Sequence, residues 1–186
     1  PEPTVFISDS GDNPTAGATG DATAFLSRLL DRQVPDAVFA SIPDEICARS
    51  CFEAGVGAEV HLTLGAKMDT LHGNPIELVG TVERLYPARV GVQEAAMATL
   101  RVGGVRIIVS DLRTAFVCLD DFCKAGIEPL KHKIVVVKLG YLMPELRDVA
   151  PREILALSQG YADMNLNRLP YRYVTRPIFP LDRDFA

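Results

Sequence analysis

The sequence has no tryptophan and only three histidines, and none of the three is spaced to share a metal ion with a second ligand. His61, His72 and His132 stand far apart. His-x-His, Asp-x-His and His-Glu-x-x-His, the spacings that bring two ligands onto one metal, are missing. Each histidine therefore reads as a surface residue, and no metal site or cofactor is expected within the chain. Cys47, Cys51, Cys118 and Cys123 also lack the two short-spaced pairs of a zinc site. Their apolar neighbours Ile46, Ala48, Phe52, Val117 and Phe122 mark them as reduced thiols, with at least three expected to be shielded. No apolar run approaches the ~20 residues of a membrane-spanning helix. A basic surplus is absent too: the net charge of -5 argues against a general nucleic-acid binder. Pro1-Glu2-Pro3-Thr4 has neither a signal-peptide pattern nor an initiator Met. The expected compartment is the reducing cytoplasm, and the expected origin a piece of a longer chain. The Gly-x-Ser-x-Gly elbow of a serine hydrolase, the P-loop and Gly-x-Gly-x-x-Gly are all lacking.

What is present alternates between two periodicities. Thr4–Ser8 and Asp36–Ser41 are short apolar, β-branched runs, each followed by a helical pattern. In the first helix Phe25, Leu26, Leu29 and Leu30 form one face, with Thr19 or Asp21 as its cap; the second runs from about Pro43 to Ala54 and stops at Gly55. Strand–helix–strand–helix order predicts a buried parallel sheet. From 58 to 115 the period changes to two, as in Val60, Leu62 and Leu64 against Glu59, His61 and Thr63. Gly103-Gly104 there marks a hairpin turn. This stretch is expected to be an inserted antiparallel β-meander or small barrel. After a short helix over Asp120–Ala125, Lys133–Leu139 is the strongest strand, apolar enough for the middle of a parallel sheet. Glu145–Gln159 reads as helix with a break near Pro151, and residues 169–186, rich in Pro and Arg, as an extended arm. The fold class is α/β: a mostly parallel central sheet, flanking helices and the inserted antiparallel segment.

Chemistry is expected in the loops at the carboxyl ends of the parallel strands, where α/β sheets bind ligands. Asp9–Asp21 is the richest of these, with three glycines, three acidic residues and a candidate helix N-terminus suited to an anion. An ordinary capped turn, in which Asp12 or Asn13 bonds its own backbone, is the alternative. Lys138 ends the strongest strand. If that strand neighbours the first, Lys138 and Tyr141 approach the Asp9–Asn13 turn, where a Lys could bind a carboxylate or simply snorkel outward.

Five segments resemble the carboxy-terminal domain of the microcystinase-C-like (MlrC-like) metallopeptidases. They are Asp12–Asp21; Leu64-Gly65-Ala66-Lys67 with Gly73-Asn74-Pro75; Leu100–Val105; Val136-Val137-Lys138; and Leu169–Arg172 with Arg176–Asp182. Thr15 and Ala16 stand where the family pattern has glycines, Thr19 where it has proline, and the His found in many members shortly after the Lys138 position is missing. The resemblance implies zinc-dependent hydrolysis of peptide bonds, with the zinc ligands in an amino-terminal domain. This chain would then be the substrate-cleft domain, its partners that metal-binding domain and a small peptide-like substrate. Asp9, Asp12, Asn13 and Lys138 would face the neighbouring domain, and Gly17, Thr19, Gly20 and Tyr141 would contact the substrate or an anion. Two other readings remain open: a non-catalytic module for a small anion or carboxylate, and an oligomerisation domain that self-associates through the meander or the arm.

Overall fold

The structure, a computed structural model, describes residues 2–90 and 93–184; Pro1, Gly91, Val92 and the last two residues of the expected arm lie outside the described residues. Eight strands form one open sheet. They are β1 (Val5–Asp9), β2 (Ala37–Pro43), β3 (Glu59–Leu64), β4 (Ile76–Val90), β5 (Gln93–Val102), β6 (Val105–Ser110), β7 (Ile134–Val137) and β8 (Arg152–Ala156), in the order β3-β4-β5-β6-β2-β7-β1-β8. The run β6-β2-β7-β1-β8 is parallel throughout. From β6 outward through β5, β4 and β3 the pairing is antiparallel. The expected parallel sheet is there, and the antiparallel stretch takes the form of a meander rather than a barrel. It adds to the same sheet through the parallel pairing of β6 with β2.

The central strands read as unbroken apolar runs because both faces are covered. Alternate residues of one strand enter different layers. Phe39, Ile107 and Val136 pack with Leu26 and Leu29 of α1 (Ala24–Asp31) and Cys47, Ala48 and Cys51 of α2 (Glu45–Ala54). Val38, Ile108, Val135 and Val137 pack on the other face with Phe122 of α3 (Leu119–Lys124) and Leu146 of α4 (Pro144–Val149). Burying one such Val, Ile or Phe is worth about 1.5–3 kcal/mol relative to leaving it exposed. The two layers are what hold the carboxyl ends of the strands in register.

Three local expectations change. The helical reading of Glu145–Gln159 holds only for α4; beyond Pro151 the chain becomes β8, pairing Ile154 with Ile7. Pro151 ends the helix, and β1 would otherwise present an unpaired edge, so the backbone is satisfied better as an eighth strand than as another turn of helix. The cap of α1 is Thr23, not Thr19 or Asp21. Finally, only Cys47 and Cys51 are buried; Cys118 is half-buried and Cys123 exposed, all four being free thiols. Ile46 and Phe52 point outward, so α2 buries its cysteines instead. Burial pushes the Cys47 thiol up to about 12 and Cys51 to about 11, with the Asp44 carboxylate adding to both. Neither is a thiolate nucleophile near neutral pH.

Candidate functional site at the carboxyl ends of the strands

Lys138 directly follows β7, beside β1 and β2, and its side chain is 1% exposed. A buried ammonium is tolerated only when each proton finds an acceptor and its charge a partner. Lys138 Nζ donates to Asp12 Oδ2 at 2.7 Å, to the Ala22 carbonyl at 3.1 Å and to the Gly20 carbonyl, and it stands 5.2 Å from the centre of the Phe39 ring. Asp12 is equally buried. Its carboxylate accepts from the backbone N–H groups of Gly20 and Ala22, both at 2.8 Å. The pair thus gathers the loop between β1 and α1 around itself. Gly20 is needed at the crossing because its φ is +83°, a region costly for residues with a side chain.

Asp9 shares this site at the end of β1. Burial raises its carboxyl above the usual range, the nearby Lys138 charge and the Ser158 hydroxyl only partly offsetting this. Ser158 donates to Asp9 and accepts from the Gly11 N–H at 2.9 Å. The segment after β8 crosses the loop here so closely that a Cβ on Gly160 would stand 2.0 Å from the Gly11 carbonyl oxygen. Asn13, 7% exposed, begins a 3-10 turn over Pro14–Ala16. Its Oδ1 accepts from the Thr15 N–H at 2.9 Å and the Thr15 hydroxyl at 2.7 Å. Thr15, where the family pattern has glycine, therefore fixes which end of the Asn13 amide faces outward. Nδ2 has no hydrogen-bond partner among the described residues and lies on the side of Gly140.

The β3–β4 connection is latched onto the same loop. The Asp21 carboxylate accepts from the N–H groups of Lys67, Met68 and Asp69 at 2.6–3.0 Å, and the Thr23 hydroxyl donates to the Asn74 carbonyl at 2.7 Å. Lys67 reaches back, with Nζ 2.6 Å from both oxygens of Asp44, the residue that caps α2 through the Cys47 N–H. Burial alone would raise the Asp44 carboxyl; the bonds from Lys67, Gly65 and Cys47 outweigh it and hold the group below its usual value. Two residues after Lys67, the Asp69 carboxylate, fully buried, contacts His72 Nδ1 at 2.7 Å, and the imidazole meets the Tyr161 ring edge-on at 5.3 Å.

Of the residues singled out in the sequence, Asp9, Asp12, Asn13, Gly20 and Lys138 are brought together at one end of the sheet. Asp12, Gly20 and Lys138 spend their polar atoms on one another. Gly17, at the end of the 3-10 turn with φ +97°, is exposed, and Thr19 is half-exposed with its hydroxyl 3.5 Å from Asp12. Tyr141 is 65% exposed beside Gly140. His72, expected from the sequence to be a surface residue, is instead half-buried against Asp69, which lies at i−3 in a turn and not at a metal-ligand spacing; Asp-x-x-His followed by glycine is the local sequence mark of the pair. His132 pairs with Asp36 at the opposite end of the sheet. Among the described residues no group of three or more His, Cys, Asp or Glu is placed to hold a metal ion. Among those residues no helix is long and apolar enough to cross a membrane.

The chain is an open α/β sheet, a class in which ligands generally bind outside the carboxyl ends of the parallel strands, where this polar-bonded loop cluster lies. Within it, the chain belongs to the MlrC C-terminus family, whose pattern matches residues 7–173. It is 30% identical to Microcystinase C of Sphingomonas sp over 142 residues, which is 72% of this chain and 28% of that protein. It superposes with a TM-score of 0.78 on the crystal structure of a presumed metallopeptidase from Mesorhizobium sp. BNC1. That likeness has 22% identity and covers 98% of this chain and 38% of the other. The chain spans less than two fifths of the length of either relative.

Proposed function

We propose that this chain is the substrate-cleft domain of a zinc-dependent peptidase whose metal ligands lie in the remainder of the protein, the part that packs over the strand ends. The observation that carries the reading is Asn13. Its oxygen is committed twice within the loop, while its amide N–H group has no partner among the described residues at the carboxyl ends of the strands. Asp12 and Lys138, rather than touching substrate, hold the shelf rigid, with Asp9 and Ser158 anchoring it to β8. Gly17, Thr19 and Tyr141 line its exposed rim. The Asn13 amide donates to the oxyanion that develops when water attacks a peptide carbonyl. Family membership and the metallopeptidase relative support peptide hydrolysis as the reaction.

Anion capture without catalysis is favoured less. The Gly20 N–H is occupied by Asp12, and the buried carboxylates of Asp12, Asp21 and Asp69 crowd the approach to α1.

The experiment compares Asn13→Asp with wild type in the full-length, zinc-loaded protein acting on short linear peptides. Asp keeps the cap acceptor and removes the donor. Loss of one oxyanion donor lowers kcat by about 10²–10³; an unchanged melting temperature is expected alongside. Wild-type kcat in this variant would return Asn13 to a purely structural role.

A further inference from the structure

His72 sits in the β3–β4 connection with its two ring nitrogens in different circumstances. Nδ1 lies 2.7 Å from Oδ2 and 2.9 Å from Oδ1 of Asp69. Asp69 is 0% exposed, and its Oδ1 also accepts from the backbone N–H groups of Leu71 and His72 at 3.0 and 3.1 Å. A carboxylate bonded in this way is aimed, and it imposes the tautomer in which Nδ1 carries the proton. Nε2 has no hydrogen-bond partner among the described residues, yet it is not a buried orphan; the side chain keeps 22% of its surface exposed.

The location matters as much as the pairing. The Asp69 N–H donates to Asp21 at 3.0 Å, and Gly73 lies so close to Thr23 that a Cβ there would stand 2.2 Å from its hydroxyl. The ring packs edge-on to Tyr161, next to the Gly160 that crosses Gly11. The imidazole is thereby clamped between the two segments that frame the Asp9–Asp21 loop. An imidazole with one nitrogen held by a buried carboxylate and the other reachable from solvent is an arrangement that serves proton transfer.

We propose that His72 is a proton donor to the peptide substrate, oriented by Asp69; this rests on the peptidase reading above. In the step, the carbon–nitrogen bond of the tetrahedral adduct breaks and its electron pair stays on nitrogen. That nitrogen takes the proton from Nε2 of the imidazolium and leaves as the amine. The ring returns to neutral with its Nδ1–H still on Asp69, and solvent restores the Nε2 proton.

The test uses the full-length, zinc-loaded protein and quenched-fluorescent short linear peptides. His72→Asn places an amide N–H near the Nδ1 position and so keeps the bond to Asp69 while removing Nε2. A fall in kcat of about 10²–10⁴ is expected, with KM changed little and the melting temperature retained. Asp69→Asn, which disturbs the tautomer, is expected to lower kcat as well, and the double variant to be no worse than His72→Asn. Nitrogen-15 NMR of the wild-type imidazole supplies a readout independent of turnover: the neutral ring should carry its proton on Nδ1. Wild-type kcat in His72→Asn, or a proton on Nε2 in the neutral ring, overturns the proposal. Cleavage of none of the peptides by the wild-type protein would overturn the peptidase reading and this inference with it. Wild-type cleavage with an unimpaired His72→Asn overturns this inference alone.

Discussion

Lys138 compensates the buried charge of Asp12 and lowers the cost of Asp9 beside it. Removing it leaves buried carboxylates without their partner, and breaking one side of a buried pair typically costs about 3–5 kcal/mol. Lys138→Met should therefore lose stability on that scale in urea unfolding of this chain, and adding Asp12→Asn should recover part of the loss; a cost under about 1 kcal/mol would contradict the pairing. The two shifted carboxyls act in opposite pH directions. Asp44, held below its usual value, contributes stability at pH above the ordinary carboxylate range that is lost as pH falls through its folded pKa. Asp9, held above its usual value, binds its proton more tightly when folded, so stability falls as pH rises from about 3.9 through its folded pKa. Asp9→Asn still accepts from Ser158 and should remove that second slope. Melting curves from pH 4 to 7 that decline as steeply in Asp9→Asn as in wild type would refute the assignment. The meeting of Asp12 with Lys138 was legible in the sequence because both follow apolar strands that pair in parallel. The commitment of Asn13 Oδ1 to Thr15 and of Asp69 to His72 was not, since side-chain bonding inside a turn leaves no periodic signal.

At the scale of elements, the strands were readable wherever burial on two faces forced an apolar run, as in β2 and β7. β8 was not. Arg152-Glu-Ile-Leu-Ala156 is short, amphipathic and equally compatible with helix, and what decides it is the open edge of β1, a long-range fact. The continuity of the meander with the parallel sheet was hidden for the same reason: it depends on β6 finding β2. Where β8 leads into the following segment, Gly11 and Gly160 pass with no room for a Cβ; one on Gly11 would stand 2.3 Å from the Ser158 carbonyl oxygen. Gly160→Ala should cost about 1–3 kcal/mol, the usual range for overpacking. It should also expose the chain beyond Leu157 to proteases before the rest of the fold. Because the two glycines form one contact, Gly11→Ala combined with Gly160→Ala should cost less than the sum of the singles. Additive losses would mean that the crossing does not act as a unit.

The whole sheet has two edges of opposite chemistry. β3 turns Val60, Leu62 and Leu64 inward and offers Glu59, His61 and Thr63 to water, the alternation of a strand built to end a sheet. β8 leaves Ile154 and Leu155 about half exposed, and they line one depression with Tyr141. Met164 stands beside Gly140, the residue before Tyr141. Beyond the charged Arg152 and Glu153, β8 thus presents apolar side chains beside the candidate site, and exposed apolar surface of this kind is suited to cover by another part of a protein. The relatives, of which this chain spans 28% and 38%, have the length to supply such a cover. On the proposed reading the metal-binding part of the same protein packs here, which would bring its ligands toward Asn13 and His72. Hydrogen exchange separates this from a free edge. Amides of residues 152–157 should exchange markedly faster in the isolated 186-residue chain than in the full-length protein, while those of β7, buried in both, should differ little. Leu155→Lys should remove the difference by opening the interface, leaving the fold of the isolated chain intact because the side chain already reaches solvent. Equal exchange over 152–157 in the two proteins would place the domain contact elsewhere and leave β8 as an uncovered edge.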